Sequence, residues 1–322
     1  MNTLARLAIL AASALPASMA SAAIVDNGTI QLGIDTLGQL NVSDPTNPSA
    51  TGLTVTGLRD LRTNYEATAD GCLCEGWGAG IGETGENGFA NNAYGTSNLT
   101  SVSFTSDATS ATSVVDVGSE IRVTHTFAPA TETNNLYRVH VTMENISGGD
   151  IADLRYTRAM DWDIEPTAFD EFVTIGGTAA ASNVLYADDN GFTTGNPFDH
   201  PGAIFASGDQ VDTGPGDHGA RFDFGFGQLL VGDSFSFDIF YGAAPTEVAA
   251  LNSLNAVGAE VYSLGQSVND MGGDTRGYST FIFGFSGVGG HVVPPVPVPA
   301  SAFLLLGGLG MLGRLRRGRK SV

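Results

Sequence analysis

Ile151-Ala152-Asp153-Leu154-Arg155-Tyr156-Thr157-Arg158-Ala159-Met160-Asp161-Trp162-Asp163-Ile164-Glu165 is the stretch that decides the fold class. Leu154, Tyr156, Met160, Trp162 and Ile164 fall on one side of a two-residue alternation, opposite Arg155, Thr157, Asp161, Asp163 and Glu165. That period belongs to a strand with one apolar face. Arg158 interrupts the apolar side, as a buried ion-pair partner for a carboxylate or as the mark of a bend.

The same period recurs outward from this segment. Upstream, Ile121, Val123 and Phe127 share one side with His125 between them, and Tyr137, Val139, Val141 and Met143 form a second stripe. The run from Asn145 to Asp150 is a turn by composition and a candidate seam between two units. Downstream, Phe222, Phe224 and Phe226 are followed across Val231-Gly232-Asp233 by Phe235, Phe237, Ile239 and Tyr241, which predicts a hairpin. Phe281, Phe283 and Phe285 predict a late strand that closes a sheet. One helix is expected, capped by Thr246, with Glu247 in its first turn, Val248, Leu251 and Leu254 buried, and an end near Gly258. Short strands between glycine-rich turns make the body, residues 23–285, mainly β: a large antiparallel β-sandwich of one or two units with one short helix.

Charge narrows the function classes. Lys plus Arg number 14 against 34 Asp plus Glu, and six of the bases lie at the two ends, where there are no acids. The body therefore carries a net charge of about −26, derived from eight bases and 34 acids. Phosphate binding needs cationic side chains to displace counterions, so nucleic acid is excluded as a partner. An acidic body suits divalent cations or extracellular solubility. A hydrophobic content of 42% with 18 phenylalanines rules out a disordered chain.

The carboxylates Asp161, Asp163 and Glu165 share one side of their strand, and Asp188-Asp189-Asn190-Gly191 and the stretch with Asp212, Asp217 and His218 add acidic loops. Two readings are open for the strand: a solvated face neutralised by Arg155 or Arg158, or a calcium site, because calcium takes six to eight oxygens. Asp161, Asp163, Glu165, Asp188 and Asp189 are the candidate ligands. A catalytic carboxylate pair is the weaker third reading, since spacing along one strand does not make a cleft. Hydrolase signatures such as G-x-S-x-G and H-E-x-x-H are absent, so the expectation is a non-enzymatic protein. Cys72 and Cys74 are candidates for a local disulfide, a free dithiol or a soft-metal site. Gly80 to Gly85 has the G-x-G-x-x-G spacing without the strand–turn–helix context of a nucleotide site. Trp77 between glycines, with Glu75, Asn87, Asn91 and Asn92 nearby, is a candidate glycan contact or a buried tryptophan.

The ends carry addresses. Arg6, an apolar run from Leu7 to Leu15, Pro16 and Ala20-Ser21-Ala22 form a secretory signal over residues 1–22, with signal peptidase expected to cut between Ala22 and Ala23. At the other end a Gly/Pro-rich linker, residues 286–299, is expected to act as a flexible joint and stiff stalk. It runs into the apolar segment 300–312 and then a cluster of Arg314, Arg316, Arg317, Arg319 and Lys320. The 13 residues of the apolar segment make only about 20 Å of helix against a bilayer core of about 30 Å. It is a short transmembrane segment, better suited to temporary anchoring, with the basic end left in the cytoplasm.

Val296-Pro297-Val298-Pro299-Ala300, the apolar segment and the arginine cluster together resemble the VPLPA variant of the PEP-CTERM sorting signals, over residues 296–322. Val298 stands where that pattern has leucine. The resemblance implies an exosortase-type membrane peptidase as processing partner, and a cell-surface location in a bacterium that makes extracellular polysaccharide. It implies nothing about the body. The sequence thus points to an exported surface protein of structural or adhesive type, calcium-stabilised, within a biofilm-like matrix. The alternatives are a glycan-binding module and a secreted carbohydrate-active enzyme.

Overall fold

The computed structural model describes residues 22–199, 209–270 and 279–296. The signal segment before Ala22, and the sorting motif and tail from Pro297 onward, lie outside the described residues.

In chain order the strands are β1 (Ala23–Asp26), β2 (Ile30–Ile34), β3 (Val42–Ser43), β4 (Val55–Thr56), β5 (Leu58–Asp60) and β6 (Tyr65–Glu66). They continue with β7 (Gly76–Ile81), β8 (Glu86–Asn91), β9 (Gly95–Ser97), β10 (Leu99–Ser106), β11 (Ala111–Val117), β12 (Ile121–Pro129), β13 (Leu136–Asn145) and β14 (Ile151–Asp161). The last group is β15 (Glu171–Gly176), β16 (Val184–Asp188), β17 (Gln210–Gly216), β18 (Gly219–Leu229), β19 (Ser234–Ala244), β20 (Val261–Ser267) and β21 (Thr280–Ser286). One α-helix, α1 (Glu247–Ala256), occurs among the described residues.

Two large antiparallel sheets dominate. One has the order β10-β11-β12-β13-β19-β21-β20-β15-β17 and the other β16-β18-β14-β7-β8-β9. Their inner faces meet in an aromatic core. Phe222 of β18 packs edge-on against Phe283 and Phe285 of β21, and Tyr156 of β14 against Phe237 of β19. Such ring pairs add about 0.5–1.5 kcal/mol each beyond the area they bury. The architecture is the antiparallel β-sandwich that the alternating stripes predict. A smaller sheet, β1-β2-β5-β6, adds Val25, Ile30, Leu32 and Leu58 to the same core.

Three expected elements sit differently. The phenylalanines of β18 and β19 do not form a hairpin, because the two strands lie in different sheets. Their stripes face each other across the core, with the Phe226 and Phe235 ring centroids 4.2 Å apart, and the turn between them arches from sheet to sheet. The late stripe on β21 lies inside its sheet, paired with β19 and β20, instead of closing an edge. The helix is capped as expected, with Ala249 N donating to Thr246 Oγ1 at 3.1 Å. It buries Ala250, Ser253 and Leu254 against the outer face of the nine-stranded sheet, while Val248 stays exposed.

The chain after β21 follows the body at first. Val288 and Gly290 donate to Glu260 Oε2, Val293 N donates to Ala259 O, and Val288 and Val293 are buried. The expected flexible joint is therefore docked as far as Val296, whose N–H reaches Asn252 Oδ1. Among the described residues no helix is long and apolar enough to cross a membrane.

Candidate metal centre

At the end of β14 both sides of the strand are covered. Trp162 and Ile164 enter the core, and Asp161, Asp163 and Glu165 are at most 1% exposed. The expectation of a solvated acidic face fails for a physical reason. Backbone from elsewhere closes over that side: Trp162 N donates to His218 O, Asp163 N to Ala67 O, and Glu165 N to Glu66 O.

Two of the three carboxylates converge with acids from other elements. Carboxylate oxygens of Asp161, Asp163 and Asp217 lie within 4.8 Å of one another. Glu171, the first residue of β15, joins them electrostatically. Its Oε1 is used by the N–H groups of Ile164 and Phe169, at 3.0 and 2.7 Å, which leaves Oε2 over. No donor reaches Asp161 Oδ1, either oxygen of Asp163, or Glu171 Oε2, although all four atoms are buried. Unpartnered buried carboxylate oxygens cost several kcal/mol as anions, so each either takes a proton or waits for a cation.

The titration behaviour follows from that geometry. Burial, then the neighbouring charge of Asp217, pushes Asp161 up to about 7. Burial, then Asp161, Glu171, Asp217 and Asp70, pushes Asp163 up to about 9. Burial raises Glu171 to about 8, despite its two backbone donors. Asp217 is exposed and forms the mouth of the cluster, through which an ion could enter.

The donor set is all oxygen. Cys72 and Cys74 are joined in a disulfide, with Cys72 Sγ 3.2 Å from Asp161 Oδ2, so no thiolate is on offer. His218 pairs through Nδ1 with Asp189 at 3.0 Å. Carboxylates without imidazole or thiolate suit calcium or magnesium over zinc.

The other expected ligands lie elsewhere. Glu165 turns away from the cluster and accepts from Ser49, Thr51 and the Glu66 N–H. Asp188 accepts from the Tyr186 hydroxyl and the Asn190 N–H, while Asp189 holds His218. Sequence spacing did not single out Glu171, and it placed Asp217 only in an acidic loop. Both reach the site through strand pairing that no local signal encodes.

The expected glycan contact is also relocated. Trp77 is buried, donates its indole N–H to Leu37 O at 2.8 Å, and packs against His125 and Tyr156. Glu75 is buried with it. It accepts from Arg158 Nε at 2.6 Å, the Tyr241 hydroxyl at 2.8 Å and Leu40 N at 2.6 Å. Arg158 is thus the buried ion-pair partner that its place in the stripe suggested. Asn87 donates locally to Gly85 O, while Asn91 donates to Cys74 O and Thr193 O, and Asn92 to Leu40 O and Asn41 O, as ties between segments. Gly80 to Gly85 covers the end of β7 and the turn into β8, with no helix after it. No family model and no curated protein matches the chain.

Proposed function

We propose that the chain is an exported, surface-sorted structural or adhesion protein whose β-sandwich is clamped by calcium. The ion would be held by Asp161, Asp163 and Glu171, with Asp217 at the mouth. The observation that carries the clamp is the set of four buried carboxylate oxygens without donors. An ion there ties the end of β14, the start of β15 and the turn before β18 into one unit. The export half of the proposal is supported by the signal-like and sorting-like ends, by the acidic body and by the Cys72–Cys74 disulfide, which suits an oxidising compartment.

Thermal unfolding of the processed body with calcium and with chelator tests the clamp. A ligand at 100 times its Kd adds about 2.7 kcal/mol to a fold that binds it only when native. Calcium should raise Tm by several degrees. In chelator at about pH 9, where the wild-type carboxyl gives up its proton, Asp163→Asn should raise Tm by removing a buried unpartnered charge, and it should abolish the calcium response. Equal melting of the wild-type protein in calcium and in chelator would remove the clamp from the proposal.

A further inference from the structure

A second site lies near the carboxylate cluster, on the side of the six-stranded sheet that faces away from the core. The loop from Asp189 to Asp199 lies over β7, where Gly78 leaves room for it: a Cβ there would stand 2.2 Å from Gly195 O. Arg221 of β18 fixes the loop from below. It is 1% exposed, donates to Asp223 through Nε at 3.0 Å, to Asp199 O at 2.8 Å and to Asn196 O at 2.9 Å, and also bonds Thr193 Oγ1. Asn190 N bonds Asp188 Oδ1, Phe192 N bonds Asn190 Oδ1, and Asn91 holds Thr193 O.

This braced loop bounds a cleft of about 350 Å³. Ligand clefts run from about 300 to 1,000 Å³. Tyr94 and Phe192 line it and are 46% and 40% exposed; among the described residues Phe169, at 46%, is the one other aromatic ring open to that degree. Asp188, Asn190 and Asp199 supply polar groups beside the rings.

From this geometry we infer that the cleft binds a neutral oligosaccharide. A pyranose ring has an apolar C–H face that stacks on Tyr94 or Phe192, and hydroxyls that donate to Asp188 and Asp199 and pair with the amide of Asn190. An anionic ligand is disfavoured, because Arg221 is the only basic group lining the cleft among the described residues and its charge is matched by Asp223. Over Tyr186 a cationic ligand would meet the Arg221 guanidinium, 6.0 Å from that ring centroid, while Asp188 and Asp199 would attract it, so a cationic oligomer is the sharpest contrast to a neutral one.

The test is calorimetric titration of the processed body, in saturating calcium, with short neutral glucan, mannan and galactan oligosaccharides. Oligogalacturonate and chitosan oligomers serve as anionic and cationic contrasts. At least one neutral series should bind. Tyr94→Ala and Phe192→Ala should each weaken it about ten-fold, equivalent to about 1.4 kcal/mol, with Tm unchanged. Silence from all three neutral series, binding of the chitosan alone, or undiminished binding by the double variant would each overturn the inference. Sugar binding that survives in a protein whose Tm ignores calcium would remove the clamp and leave the cleft standing.

Discussion

Asp163 is the residue at which sequence and environment part most sharply. Alternation places it beside Asp161, but not under a cover of backbone, and its pairing with Glu171 and Asp217 depends on strands that meet only in the folded chain. Its position makes a pH prediction with a definite sign. Asp161, Asp163 and Glu171 have folded pKa values of about 7, 9 and 8, above their ordinary values near 4. Between those limits the native state binds more protons than the unfolded one. Their contribution is therefore fully present below about pH 4 and is lost as pH rises through about 7 to 9. In chelator the body should lose stability as pH rises from 5 to 9, because the native cluster holds protons that the unfolded chain has released. Calcium should flatten that slope, because the bound ion favours the carboxylates as anions. Urea midpoints across this range, with and without calcium, give the answer; a chelated protein that gains stability toward pH 9 would contradict it. Glu75 makes the complementary case. Its role was readable only through Arg158, whose place in an apolar stripe already asked for a buried carboxylate.

At the scale of elements, periodicity was a good guide to which residues point inward and a poor guide to partners. Every phenylalanine of the β18 and β19 stripes faces the interior side of its strand, yet the hairpin inference failed. A turn between two apolar stripes can either fold back within one sheet or arch across a sandwich, and the short run Leu230 to Asp233 looks the same in both cases. The helix was legible because its signal is local: Thr246 caps the first turn wherever the helix packs. The glycines of β7 lie between these cases. Gly78 has no Cβ to meet Gly195 O at 2.2 Å or Gly88 O at 3.0 Å, and that freedom lets the Asp189 to Asp199 loop rest on the sheet. Gly78→Ala should cost about 1–3 kcal/mol, as overpacking does. It should weaken oligosaccharide binding as well, because the loop must lift. Phe192→Ala, which touches no packing at Gly78, should reduce binding alone. Paired urea denaturation and titration of the two variants separate these effects, and a Gly78→Ala protein with wild-type stability would mean that the loop yields without cost.

For the whole molecule the open question in the sequence was one sandwich unit or two, with Asn145 to Asp150 as the candidate seam. The described strands interleave across that turn. β13, before it, pairs over its length with β19, after it, from Leu136 opposite Gly242 to Glu144 opposite Ser234. β14, after it, pairs with β7, before it, from Leu154 opposite Ile81 to Ala159 opposite Gly76. One core holds residues from both sides, including Val123, Val139, Phe222 and Phe285. Independent units need their own core and few crossing contacts, and neither half has that here. The body should therefore unfold in one calorimetric transition, with van't Hoff and calorimetric enthalpies in agreement when the clamp is saturated. Fragments divided at Ile146 and Ser147 should each lack a sharp transition, since each would expose the central strand edge its partner covers. Two resolved transitions in the intact body, or a fragment that melts cooperatively on its own, would mean that the pairing of β13 with β19 contributes less than its length implies.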